Sequence, residues 1–123
     1  MMTSAADQLI TDKDQEILDR ELADFVPYRV FDAPAHFLHP KFFWHDLPGV
    51  DGPLGWDEFT QLQGSLYPGR ELGGIVLAYT QPGGDVSFCN QFVSEQVAGR
   101  PGVVGFMFVK PDDDPDFVRA EVQ

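Results

Sequence analysis

Two stretches of this chain, Leu72-Gly73-Gly74-Ile75-Val76-Leu77-Ala78-Tyr79 and Val103-Val104-Gly105-Phe106-Met107-Phe108-Val109, are almost continuously apolar, and they narrow the folds open to it more than any other feature. A strand that is polar on neither face belongs between two layers, which is the usual place of parallel strands covered by helices. Helical periodicity separates and follows them. Trp56, Phe59, Leu62 and Leu66 recur at helical spacing over 55–66, with Asp57 and Glu58 in the first turn and Pro68-Gly69 as a stop. After the turn Gln81-Pro82-Gly83-Gly84, Asp85 reads as the N-cap of a helix with Val86, Cys89, Val93 and Val97 facing inward, closed by Gly99. A last helix starts at Asp114-Pro115.

The N-terminal part supplies the remaining elements. Residues 11–26 read as a helix with Thr11 as N-cap and with Ile17, Leu18, Leu22 and Phe25 on the face that packs onto the domain; Pro27 ends it. A short strand over 29–33 follows, and Pro34 bars a continuing ladder donor. The domain division is thus an N-terminal tail and leader helix over 1–28 and three βα units over 29–123. Three βα repeats with short links predict an α/β fold with a parallel sheet, either doubly wound or part of a barrel. A full barrel takes roughly 250 residues and eight units, whereas 123 residues hold three. The chain stops inside its last helical pattern, so the outer edges of the first and third strands are expected to lack partners and to favour self-association or complementation by a missing C-terminal part.

Charge and cysteine usage narrow the partners. With 20 acidic and 8 basic residues the formal charge is −12, which opposes binding to nucleic acid or to an anionic membrane surface. The first residues carry no basic segment followed by an apolar run, as a signal or a membrane span would require. The single cysteine, Cys89, allows no internal disulfide and suits a reducing compartment, so a cytoplasmic protein is expected, with Cys89 as a small buried hydrophobe. The segment 35–54 is broken by Pro40, Pro48, Gly49, Gly52 and Pro53, yet it holds Phe37, Phe42, Phe43 and Trp44. A loop of that length with aromatic contents is either a binding loop or a surface loop pinned by its rings.

The densest group of chemistry-bearing side chains is Asp32, His36 and His39 at the end of the first strand. There the sequence resembles the amidohydrolase superfamily, specifically the N-terminal portion of its amidohydrolase-2 (amidohydrolase-related) group. The resemblance rests on Asp19-Arg20-Glu21-Leu22 running into Phe25-Val26-Pro27; on Arg29-Val30-Phe31-Asp32-Ala33-Pro34-Ala35-His36, similar to a strand ending in Asp-Ala-His-x-His; on Asn90-Gln91-Phe92-Val93 with Glu95-Gln96-Val97; and on Val109-Lys110-Pro111 through Asp114-Pro115-Asp116-Phe117-Val118. It implies a leader helix plus three βα units of an incomplete TIM (β/α)8 barrel. It also implies metal-dependent hydrolysis or decarboxylation of a small organic substrate, with a divalent metal, zinc above others. Residue by residue, only His36 matches a metal ligand, and Pro34 stands where the group has its other imidazole. His39 and His45 match no ligand position; the ordinary role of such a histidine is surface or a satisfied hydrogen bond. No catalytic residue is assigned. The chain by itself is expected to be inactive, because a metal that polarises a carbonyl or activates water needs three or more protein ligands. Asp32 is read as a carboxylate that holds the neighbouring backbone or an imidazole in place, and Asp112-Asp113-Asp114 as helix capping in place of a calcium loop. The competing reading is a non-catalytic small α/β module that binds a partner or small molecule through the 35–54 aromatic loop.

Overall fold

The computed structural model describes residues 10–43 and 52–122, so Trp44, His45 and the middle of the aromatic loop lie outside the described residues. The leader helix α1 (Asp12–Ile17) begins with a reciprocal cap. Thr11 Oγ1 accepts from the Asp14 N–H at 3.2 Å, while the Thr11 N–H donates to Asp14 Oδ2 at 2.9 Å. The Thr11 hydroxyl, which donates to Asp14 Oδ2 at 2.6 Å, and then the Thr11 N–H hold the Asp14 carboxyl below its usual range. The helix then widens into a π turn, Leu18–Leu22, with the Ala23 N–H donating to Leu18 O at 2.8 Å. Of its expected apolar face Leu18 is buried and Ile17 half-buried, while Leu22 is 42% and Phe25 84% exposed, and the helical turn ends before Pro27. The Arg70 guanidinium ties this limb to the body by donating to the carbonyls of Ala23 and Val26.

The body is three βα units in chain order: β1 (Arg29–Phe37), α2 (Trp56–Leu66), β2 (Glu71–Ala78), α3 (Val86–Val97), β3 (Val103–Gly105) and α4 (Pro115–Val122). The strands form one parallel sheet in the order β1-β2-β3, so β2 is central and, among the described residues, β1 and β3 are the edges. This is the expected mixed α/β architecture, with two departures. β1 does not stop at Ala33 but runs through Pro34 to Phe37, because a bulge takes up the residue that cannot donate: Asp32 faces Gly74 and Ala35 faces Val76. β3 is three residues long and not seven: the Phe106 N–H makes one last bond to Val76 O at 2.8 Å, and at Phe108 the backbone turns to the Asn90 side chain for its partners.

The core lies on one face of the sheet. Ala35, Phe37, Val76 and Ala78 meet Trp56 and Phe59 of α2 and Cys89, Phe92 and Val93 of α3, all buried. Phe37 and Val76 are wholly enclosed, and Phe42 from the following loop joins them. α3 keeps the capping its sequence announces, with Asp85 Oδ1 accepting from the Phe88 N–H at 2.9 Å. Its C-terminus gives way to Gly99 at φ +68°, a left-handed conformation natural to glycine. α2 is capped from outside: the Trp56 N–H donates to Gln96 Oε1 at 2.8 Å. α4 lies beside α3, joined through Glu121, which accepts from Asn90 Nδ2 at 2.8 Å.

Among the described residues no helix covers the opposite face, and the Phe43 ring meets Tyr79 at its rim with centroids 5.0 Å apart. Gly73, Ile75, Leu77 and Tyr79 on β2 alternate with the core positions, and Phe31 and His36 on β1 and Val104 and Phe106 at β3 flank them. Phe31, Tyr79, Val104 and Phe106 are each about half exposed, at 56%, 49%, 50% and 51%.

Candidate functional site

In parallel sheets the strand ends from which helices depart carry the binding groups, because there the loops converge and the backbone leaves its ladder. Here that rim collects His36, His39, Tyr79, Thr80, Gln81 and Lys110. His36 is the next-to-last residue of β1, exposed between buried Ala35 and Phe37, and its ring meets that of Tyr79 edge-on at 5.2 Å between centroids. Pro34, two residues earlier and also exposed, brings no ligand atom to this face. Asp32 lies on the helix side, where its Oδ2 accepts from Gln63 Nε2 at 3.2 Å. Its partner is thus a glutamine amide of α2 and not the neighbouring backbone or imidazole expected.

His39 is drawn into the aromatic packing of the loop, with ring centroids 4.6 Å from Phe88 and 5.2 Å from Phe92. Its Nδ1 accepts from the Lys41 N–H at 3.1 Å, which fixes the neutral tautomer with the proton on Nε2. Burial, and then the Lys41 charge, push its pKa below the usual histidine value. The ring is thus a satisfied hydrogen bonder in an apolar setting, the ordinary role for such a residue, and it does not converge with His36. Among the described residues no three His, Cys, Asp or Glu side chains come together in a way that could hold a metal ion. His45 lies outside the described residues.

Beside this rim a cleft of about 410 Å³ opens between the 80–84 turn, Val86, Phe108 and Lys110. Thr80 anchors its wall by donating from Oγ1 to Phe42 O at 3.1 Å, so the aromatic loop and the cleft share a hydrogen bond. Gln81 Oε1 is buried without a hydrogen-bond partner among the described residues, and an acceptor in that state is costly to leave unpaired. Lys110 Nζ sits 3.7 Å from Asp113 Oδ1. Cys89 is enclosed behind Thr80, and burial raises its thiol pKa, which makes it inert. Sequence reading gave Thr80, Gln81 and Lys110 no role, since single polar residues in turns carry no spacing signal. Asn90 did carry one, as a polar residue on the apolar stripe between Val86 and Val93. It is buried, and its side chain exchanges two hydrogen bonds with the Phe108 backbone, at 3.1 Å to the carbonyl and 2.7 Å from the N–H.

Fold and rim together define an α/β protein built on a three-stranded parallel sheet with helices on one face. No family model, no curated protein and no solved structure matches the chain. Among the described residues no helix is long and apolar enough to cross a membrane.

Proposed function

We propose that this chain contributes the first three βα units of an amidohydrolase-like (β/α)8 barrel, whose reaction is metal-assisted hydrolysis or decarboxylation of a small organic substrate, and that the chain alone is inactive. The observation that carries the reading is the sequential strand order β1-β2-β3 with α2 and α3 on one face and His36, at the C-terminal end of β1, on the other. A doubly wound sheet covers both faces with its own helices; a barrel segment turns one face inward. On this reading His36 is one ligand of a divalent metal, zinc by preference, and Pro34 occupies the place of a second. The metal, when bound, supplies Lewis-acid activation of a carbonyl or of water. His36 would donate one imidazole, and Tyr79, edge-on to it, orients that ring. The acidic surface and buried lone thiol accord with a cytoplasmic setting away from nucleic acid and membranes.

Calorimetry with zinc tests it. The Pro34→His chain should bind zinc more tightly than wild type, and His36→Ala in that background should abolish the gain. If Pro34→His binds no better than wild type, the first strand is not a metal half-site and the reading falls. The cleft supports a second reading, a small-molecule binding module, because the Thr80–Phe42 bond couples it to the aromatic loop. A ligand whose affinity drops on Val86→Trp, while zinc has no effect on any variant, would favour that module.

A further inference from the structure

The sheet has a covered face and an uncovered one, and the uncovered one has the composition of an interface. Its centre is apolar: the Phe31 ring lies over Gly73, where a Cβ would stand 3.4 Å from Phe31 Cδ2, and Ile75, Leu77, Val104 and Phe106 extend it across all three strands. Its two ends are polar. At one, Arg29 Nε and Glu71 Oε2 form an ion pair at 3.2 Å; at the other, His36 meets Tyr79. An apolar centre with a polar margin is the usual anatomy of a protein interface.

Charge decides what can sit there. The chain carries −12, yet among the described residues the charged groups on this face, Arg29 and Glu71, cancel, while Asp12, Asp14, Glu16, Asp57, Glu58 and Asp116 belong to the helices. Two copies can therefore meet here without bringing carboxylates into opposition. Sheets made only of parallel strands occur almost always with both faces covered. The four half-exposed side chains offer on the order of 400 Å² per copy. Ile75, Leu77, Pro34 and His36 border them, bringing the face toward the roughly 800 Å² per partner of a standard interface.

We propose that the face formed by Phe31, Ile75, Leu77, Val104 and Phe106 is the docking surface for a second copy of this chain, giving a weak dimer with the two sheets packed face to face. The inference does not rest on the barrel reading, since it needs only a parallel sheet with one bare face. It carries an unusual salt dependence. The net charges repel while the contact itself is apolar and neutral, so added salt screens the repulsion and strengthens association, opposite to a dimer held by ion pairs.

Sedimentation equilibrium on the 123-residue chain is the test. The expected result is a mass rising from one to two copies with concentration, with the midpoint moving to lower concentration as sodium chloride is added. Phe31→Asp and Val104→Asp, both at exposed positions and checked for folding by circular dichroism, should each raise the midpoint at least tenfold, whereas Glu95→Lys on α3 should not raise it. In a Cys89→Ser background, Val104→Cys should give a disulfide-linked dimer on mild oxidation and Glu95→Cys should not. A wild type that stays monomeric at all concentrations overturns the proposal and leaves the face to other parts of a longer chain. Dimerisation unchanged by Phe31→Asp and Val104→Asp overturns it in favour of a different surface. Neither result bears on zinc binding by Pro34→His, so the two proposals fail separately.

Discussion

Asn90→Ala is the perturbation whose cost the structure specifies best. Asn90 Nδ2 donates to Phe108 O at 3.1 Å and to Glu121 Oε2 at 2.8 Å, and its Oδ1 accepts from the Phe108 N–H at 2.7 Å. One side chain thus takes over at Phe108, past the last bond from Phe106 to β2, and also fastens α4. Alanine removes all three bonds and leaves the half-buried Phe108 backbone groups unpaired. At about 1 kcal/mol net per bond the loss is about 3 kcal/mol, a large share of the roughly 5–15 kcal/mol that holds a domain together. With a urea slope of about 2 kcal/mol per molar for a protein of this size, the midpoint should fall by about 1.5 M at unchanged slope. Glu121→Ala, which removes only one bond of the three, should cost about 1 kcal/mol. The assay is urea unfolding followed by far-ultraviolet circular dichroism and by tryptophan fluorescence, whose coincidence checks two-state behaviour. A fall of less than about 0.5 kcal/mol for Asn90→Ala, within the ordinary range of surface changes, would refute the brace.

Other perturbations follow from the same packing. Phe37→Ala empties a wholly enclosed site and should cost about 3–5 kcal/mol in the same urea experiment. Gly73→Ala should cost about 2 kcal/mol, because its Cβ would stand 2.5 Å from the Gly102 carbonyl oxygen, a backbone atom that cannot rotate away. Since the folded state holds the His39 pKa below 6.5, it binds fewer protons than the unfolded chain. Stability is therefore full above that value and declines as pH falls through it, and His39→Gln should flatten part of the loss measured between about pH 7 and 5. Cys89, enclosed and with its thiol pKa raised, should react with a thiol reagent at mildly alkaline pH only as fast as the core opens, and at full rate in denaturant.

The βα order, the caps at Thr11 and Asp85, and the limits of α2 and α3 were legible because each rests on local rules: period, first-turn charge, and glycine or proline at the ends. β1 was read short because Pro34 was weighed as a terminator; a bulge let the ladder resume, and a bulge depends on the partner strand. β3 was read long because an apolar run does not say where hydrogen bonding stops; the competitor was Asn90, distant in sequence. Leu22 and Phe25 formed a sound helical stripe, but nothing in the pattern says whether a surface exists to receive it. At the rim, the sequence put His36 in the loop after a strand ending at Ala33, whereas it lies within β1; the cleft was not legible, since its walls come from two turns that meet only after the sheet forms.

The bulge at Ala33 and Pro34 gives β1 a parity that behaves like a reading frame. In a regular strand residues four apart share a face, yet here Asp32 bonds to α2 while His36 stands on the other side of the sheet. The bulge is what separates the carboxylate from the imidazole: were Ala33 and Pro34 both drawn into a regular ladder, His36 would turn into the core and Phe37 out of it. Deleting either Ala33 or Pro34 would instead remove the bulge and leave one residue opposite Ile75, so that Ala35, His36 and Phe37 stay opposite Val76, Leu77 and Ala78 and every side chain keeps its face. β1 should therefore tolerate the loss of one residue between Asp32 and His36, with His36 and Phe37 on the sides they now hold.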